Sequence, residues 1–296
     1  MANDVTAHQA TIIAMEVLTQ LRKDAVLVKR VRRDFDTEVA QYGKVVQVPV
    51  IGALSANDKT AGSDVTVQDA TSTSKSVTLN KLKEATFIIE DIDKALSRND
   101  LLQAYMGSAV KALAEKVEDD LFTLVTGFSQ SVGTYGTDTT PANVRLARKT
   151  LTDGNAPRSD RTLVLSTKDV SALLTADSQF LASANNTGDP SKIAEGIIGR
   201  YMGFDVMESN AVPLDNTNHT HNLAFHKDAI ALVCRPLEPA PAGMGAISTV
   251  VSDPVSGLSI RVTLSYNSAR MGVQCTADIL YGFAELRDEL GVEVKS

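Results

Sequence analysis

The sequence has no tryptophan, and aromatic residues make up only 5% of its 296 positions. A base-stacking platform for single-stranded nucleic acid needs more rings than that. There are two cysteines, Cys234 and Cys275, too far apart for metal-ligand spacing. Such scarcity fits a reducing compartment, although two thiols could in principle pair. Positive charge is also short: 29 Lys and Arg against 36 Asp and Glu leave a formal net charge of -7. That balance argues against a general nucleic-acid-binding surface. No apolar run approaches the ~20 residues of a membrane-spanning helix. The opening MANDVTAHQATIIAMEVL lacks the basic start and long apolar centre of a secretion signal. These absences point to a chain made and kept in the cytosol. No G-x-S-x-G, Walker A or dinucleotide fingerprint occurs, and no internal repeat. What remains is 43% hydrophobic and 22% charged, a globular composition long enough for one large domain or two modest ones.

The strongest positive signal runs from Ser97 to Gly127. Leu102, Met106, Val110, Leu113, Val117, Leu121, Leu124 and Phe128 recur at steps of three or four, one stripe of an α-helix. Ser97 with Asp100, or Asn99 alone, supplies a cap, and Gly127 suits a left-handed stop. The spacing predicts a rod of roughly 40 Å. Glu118, Asp119 and Asp120 sit near its C-terminal end, where the helix dipole disfavours negative charge. That placement has two readings: a solvated face, or a patch that meets a cationic partner outside the chain.

Before this helix, residues 1–24 read as a helix opened by a capping box at Thr6, with Ile12, Ile13, Val17, Leu18 and Leu21 as its apolar face. Val26, Val28 and Val31 alternate as in a strand, among the basic residues Lys29, Arg30, Arg32 and Arg33. Asp34, Asp36 and Glu38 offer local balance for those charges. Val45–Val50 is strand-like, with Pro49 confining it to an edge. Alternation returns at SVTLNKLKEATFIIED, and the intervening 52–76 is rich in Ser, Thr, Asp, Gly and Ala. A two-stranded ribbon with so polar a tip buries too little to be stable alone, so it lies on another surface or stays loose.

After the long helix, the glycine-rich stretch from Gly127 to Thr140 reads as a domain joint. Residues 141–266 read as a compact mixed α/β unit. Helices are expected from Pro141 to Gly154, after the Ser166–Asp169 capping box, and after the Asp189–Pro190 start. Strands are expected at 161–165, 204–207, 223–225, 230–234, 247–251 and 259–264. The closing run GVQCTADILYGFAEL returns to the long helix and completes the first domain.

Chemistry is thin. His219 and His221 would share a strand face, and His226 could be a third metal ligand for a metal-dependent hydrolase. Their surroundings, DNTNHTHN, read as an exposed loop with no general base beside it. No other cofactor site is evident.

Three stretches, in order, resemble one family. Ala85–Asp93 looks like the strand leading into a spine helix. Ile198–Gly199–Arg200–Tyr201–Met202–Gly203–Phe204–Asp205–Val206, through Ser209–Asn210, resembles a helix-turn-strand of an inserted domain. Asp278–Ile279–Leu280–Tyr281–Gly282 resembles the closing strand. With the order of parts, they resemble the major capsid protein of tailed bacteriophages, the Hong Kong 97-type fold. The resemblance covers essentially the whole chain. It implies an α+β architecture with an N-terminal arm (1–40), an extended β-hairpin loop (41–90), a peripheral domain with the spine helix (91–140 and 267–296) and an inserted α/β axial domain (141–266). It implies a non-catalytic virion protein, assembled in the host cytoplasm, forming pentamers and hexamers of an icosahedral shell around double-stranded DNA. Scaffolding and portal proteins are the implied partners, with no cofactor and no membrane. Candidate intersubunit contacts are Lys29, Arg30, Arg32, Arg33, Lys59, Asp64, Glu118 and Asp119. Some relatives cross-link a lysine to an asparagine; Lys59, Lys75 and Lys81 lie in the right region, but no motif carries that chemistry over. The alternative within the same fold is an encapsulin-like nanocompartment shell.

Overall fold

A computed structural model describes residues 26–35, 43–52, 54–69, 72–92, 101–176, 199–215, 217, 219–241, 245–252 and 258–296. The expected helices over 1–24 and after Asp189, the caps at Ser97 and Asn99, and the turn at 253–257 lie outside them.

The periodic stretch forms α1, Leu101–Phe122, 22 residues long. Met106, Leu113, Val117 and Leu121 on its stripe are buried, as the spacing predicts. The predicted left-handed stop at Gly127 is not used. The chain tightens instead into a 3-10 turn, Val125–Gly127, and leaves through extended Phe128. Val125 and Phe128 are both buried, so the backbone stays wound until they reach the core.

Two sheets flank this helix and its exit. The first has five strands: β3 (Lys81–Glu90), β9 (Ile230–Arg235), β10 (Ala246–Ser252), β11 (Ser259–Asn267) and β12 (Gly272–Glu285). Its order is β10-β11-β12-β3, with β9 joining the far half of β12. The expected return of the closing run holds: Tyr281 of β12 pairs with Lys81 of β3, and Thr276 with Thr86. The second sheet has six strands: β4 (Ser131–Gly133), β5 (Arg161–Leu165), β6 (Arg200–Tyr201), β7 (Phe204–Glu208), β8 (His221–His226) and β13 (Gly291–Lys295), in the order β4-β13-β8-β5-β7-β6. β13 therefore crosses from the end of the first sheet into the second. Strands β5, β8, β9 and β13 are buried almost end to end, because helices or loops cover both faces.

Local chemistry explains the joints. Met202 and Gly203 both take positive φ, 47° and 87°, the two-residue turn that lets β6 fold back on β7. Helix α2 (Pro141–Asp153) starts with proline and is capped by Thr140, whose Oγ1 accepts the Asn143 N–H at 3.4 Å. Gly154 ends α2 without a left-handed φ; Asn155 takes that conformation instead. Helix α3 (Thr167–Ala176) opens on the predicted capping box: Ser166 Oγ accepts the Asp169 N–H at 3.2 Å and donates to Asp169 Oδ2 at 2.7 Å.

The segment read as a strand over 26–33 is a 3-10 turn, Leu27–Lys29, followed by a single parallel bridge from Arg32 to Ala231. Leu27, Val28 and Val31 are all buried, which a two-residue alternation would not allow for adjacent positions.

Candidate assembly surfaces

The polar excursion is a ribbon whose two ends differ. Strands β1 (Val45–Ile51) and β2 (Ser72–Thr78) pair antiparallel from Val45 opposite Thr78 to Ile51 opposite Ser72. The return strand thus begins inside the Ser/Thr stretch that the sequence assigns to the tip. The later alternation of 81–90 belongs to the five-stranded sheet. At the root, Val46, Val48, Val77 and Leu79 pack with Phe35, Ala231, Val233 and Leu286 in a small core of their own. Gly282 lets β12 cross this root: a Cβ there would lie 2.2 Å from the Thr78 carbonyl oxygen. Beyond the ladder, every described residue of 54–69 is exposed except half-buried Gln68. Gln68 Nε2 donates to the Ser55 carbonyl at 2.6 Å, and its Oε1 accepts the Ser55 N–H at 3.0 Å, holding the limbs together. Leu54, Val65 and Val67 are 62%, 68% and 85% exposed. Three apolar side chains on a ribbon that does not touch its own body form an incomplete surface.

The basic segment is engaged within the chain. Arg30 Nη1 lies 3.0 Å from Asp205 Oδ2 in the second sheet. Arg32 meets Asp34 at 3.0 Å and Asp228 at 3.4 Å. The local balance expected of Asp34 is present, and Asp205 and Asp228 arrive from distant sequence. Arg33 is half-buried, and Lys29 is exposed. Arg32 N–H and its carbonyl also bond Ile230 and Leu232 in the first sheet. Residues 26–35 therefore tie α1, β7 and β9 together.

Glu118 corrects the expectation of an outward acidic patch. It is only 4% exposed, and both carboxylate oxygens accept the Leu27 N–H, at 3.0 and 3.2 Å. Burial raises its pKa to about 7, against the lowering effect of the backbone N–H groups of Leu27, Val26 and Val28. Its partner is the chain's own backbone, so no neighbouring copy reaches it. Asp119 is exposed, and Asp120 is turned inward. Asp120 Oδ2 accepts the Tyr281 hydroxyl at 2.9 Å. Lys81 and Lys116 reach its two oxygens at 3.3 Å each, and Lys83 stands 3.9 Å away. Burial alone would raise the Asp120 pKa, but Tyr281, Lys81 and Lys116 together hold it below the usual carboxylate range. Sequence reasoning missed this cluster. Its signals were present: Lys81 and Lys83 two apart on one strand face, and Lys116 four residues before Asp120.

The three histidines do not converge. His221 and His226 stand at opposite ends of β8, roughly 17 Å apart at ~3.4 Å per residue. His221 Nδ1 bonds Glu293 at 2.6 Å, His219 bonds Asp215 at 2.9 Å, and His226 accepts the Asp228 N–H. His219 and His221 do share a side, both packing on the Tyr135 ring. Among the described residues no group of His, Cys, Asp and Glu has metal-site geometry. Cys234 and Cys275 are buried as thiols, and burial pushes Cys275 up to about 12. Among the described helices none is long and apolar enough to cross a membrane.

A spine helix, an extended hairpin standing off a mixed sheet, and a second sheet inserted in the chain define the Hong Kong 97-type capsid fold. Solved structures agree. One from Mycobacterium phage Che8 is 21% identical, with a TM-score of 0.66 over 92% of this chain and 91% of that one. The capsid of Ralstonia phage GP4 is 11% identical, with a TM-score of 0.66 over 93% and 91%. The SrpI encapsulin complex from Synechococcus elongatus PCC 7942 is 12% identical, with a TM-score of 0.54 over 90% and 85%. At these identities the likeness establishes the fold. No curated protein matches the chain in sequence. The model of the phage capsid protein family matches residues 15–236, and the chain belongs to that family. It is a structural major capsid protein of the tailed-phage type.

Proposed function

We propose that copies of this chain assemble into pentamers and hexamers of a closed icosahedral shell that encloses double-stranded DNA. The observation that carries the proposal is the hairpin: rooted in its own core, with a tip of exposed Leu54, Val65 and Val67 that its own body does not cover. Neighbouring copies supply that cover. Lys59 and Asp64 on the tip, and Lys29 and Asp119 on the body, are the intersubunit candidates that the fold leaves exposed.

The division proposed for the chain keeps 1–40 as arm, 41–90 as extended loop, 91–140 with 267–296 as peripheral domain and 141–266 as axial domain. β3 at the end of the loop and β13 at the end of the chain each pair outside their stretch, stitching these units together. Scaffolding and portal proteins are the partners a phage shell needs, and assembly takes place in the host cytoplasm. The acidic balance suits a container, because a strongly basic wall would hold packed DNA in place.

The test is electron microscopy of the expressed chain and of a variant with 54–69 replaced by a short turn. Closed particles from the first and folded, unassembled subunits from the second are expected. Normal particles from the shortened ribbon would exclude the hairpin as an assembly element. A nanocompartment reading is favoured by the encapsulin likeness. It is separated by the contents of purified particles: a protein cargo instead of nucleic acid.

A further inference from the structure

The Asp120 cluster is over-supplied with positive charge. Lys81, Lys83 and Lys116 converge on one carboxylate, and among the described residues no other carboxylate comes within 4.0 Å of their ammonium groups. One anion neutralises one cation. Two positive charges at close quarters remain for an external counter-charge. The lysines are accessible: their side chains are 33%, 32% and 50% exposed, against 8% for Asp120. Glu84 gives no relief, since Lys81 and Lys83 share one face of β3 and Glu84 belongs to the other.

The opposite imbalance sits on the ribbon tip. Asp58, Asp64 and Asp69 face only Lys59 across 54–69, and all four are exposed. The tip cannot return to its own cluster. Lys81 lies just past the root, and the ladder from Val45–Thr78 to Ile51–Ser72 carries the tip roughly 20 Å away before the unpaired limbs begin. A net-negative tip and a net-positive cluster at the two ends of one rigid ribbon complement each other only between copies.

We infer that the lysine cluster of Lys81, Lys83 and Lys116 receives the acidic hairpin tip of a second copy of this chain. The inference rests on the shell reading and names the receiving site that reading leaves open. The contact is heterologous, tip to cluster, so it propagates from copy to copy around a ring. It also reverses the sign expected from sequence. The spine helix does not present acid to a cationic partner; its acid is buried under lysines that present positive charge.

Two measurements test it. In the first, wild-type particles and dissociated subunits are treated with a zero-length carbodiimide and digested for mass spectrometry. Amide links between Asp58, Asp64 or Asp69 and Lys83 or Lys116 are expected in particles and not in subunits. Particles that give none of these links overturn the site. In the second, Asp58→Lys/Asp64→Lys/Asp69→Lys and Lys83→Glu/Lys116→Glu are each expected to lower particle yield about tenfold, and their combination to recover most of it. Lys81 is left in place so that Asp120 keeps a partner, and thermal melts confirm folding. Unchanged yields overturn the site while the shortened-ribbon variant still tests the shell itself. A lysine variant that assembles normally but binds duplex DNA more weakly assigns the cluster to phosphate and overturns the proposal. Failure of the wild-type chain to form closed particles overturns the shell reading beneath it.

Discussion

The carboxylate of Glu118 sits on the backbone N–H of Leu27, at 3.0 and 3.2 Å, with no cation at salt-bridge distance among the described residues. One acidic side chain thus holds the start of the described N-terminal segment against the spine helix.

That contact makes stability depend on pH. The Glu118 pKa rises from 4.5 to about 7 on folding, because burial disfavours the charge. A group with a raised folded-state pKa contributes its stabilisation in full below the unfolded value and loses it as pH climbs through the folded value. Stability should therefore fall between about pH 5 and pH 8, by at most about 3 kcal/mol. Glu118→Gln should flatten that slope. Thermal melts of the two proteins across this range decide it; parallel curves would remove the contact from consideration.

The Tyr281–Asp120 bond should be worth little alone and much in company. Tyr281→Phe removes one donor and leaves Lys81 and Lys116, a loss of about 1 kcal/mol. Asp120→Ala leaves the buried Tyr281 hydroxyl and three crowded ammonium groups without their acceptor, a loss of about 3 kcal/mol or more. Denaturant titrations of both variants provide the comparison. Equal effects would mean that the lysines contribute nothing to the cluster.

Gly282→Ala is expected to loosen the hairpin root. The new Cβ would overlap the Thr78 carbonyl oxygen, so β12 and β2 must part. A destabilisation of about 1–3 kcal/mol follows. Backbone hydrogen exchange should rise at Val77 and Leu79 and stay unchanged in β5. A uniform rise, or none, contradicts a local clash.

Asp169 makes the opposite pH prediction. It is fully buried, and burial would raise its pKa. The hydrogen bonds from Ser166, Asn222, the Thr139 N–H and Ser296 outweigh that and hold it below the usual range. A lowered folded-state pKa gives stabilisation that is present above about pH 4 and lost as pH falls through the folded value. Asp169→Asn should lose stability at pH 7 and show less acid sensitivity than the parent in an acid titration followed by circular dichroism.

Leu113→Asp should prevent folding, because an unpaired carboxylate would replace a side chain that is 3% exposed. Soluble subunits with the parent's melting temperature would refute the buried stripe.

Much of this architecture was legible before any coordinates. Period alone placed Met106, Leu113, Val117 and Leu121 on the buried face of α1, and Thr140–Pro141 and Ser166–Asp169 announced their helices. The errors share a cause. Glu118 looked solvated because its partner, the Leu27 N–H, is a backbone group 91 residues away and leaves no side-chain signature. Residues 26–31 mimicked a strand because valines at alternate positions do not reveal that Leu27 is buried as well. The start of β2 hid in a Ser/Thr run because its register is set by Val77 opposite Val46, not by its own hydrophobicity. The assembly surface was visible only as an imbalance, a polar tip with nothing to rest on. The lysine cluster needed three elements brought together, and no one-dimensional pattern records that.

Strand β3 waits for β12, and Thr86 meets Thr276 across 190 residues of chain. At a translation rate of ~5–20 residues per second, roughly 10 to 40 s pass before the ribosome delivers that partner. For that interval a ten-residue strand that ends in Phe87, Ile88 and Ile89 has an open edge. Slower growth temperature or added chaperone should therefore raise the soluble yield more than any substitution on the finished subunit's surface.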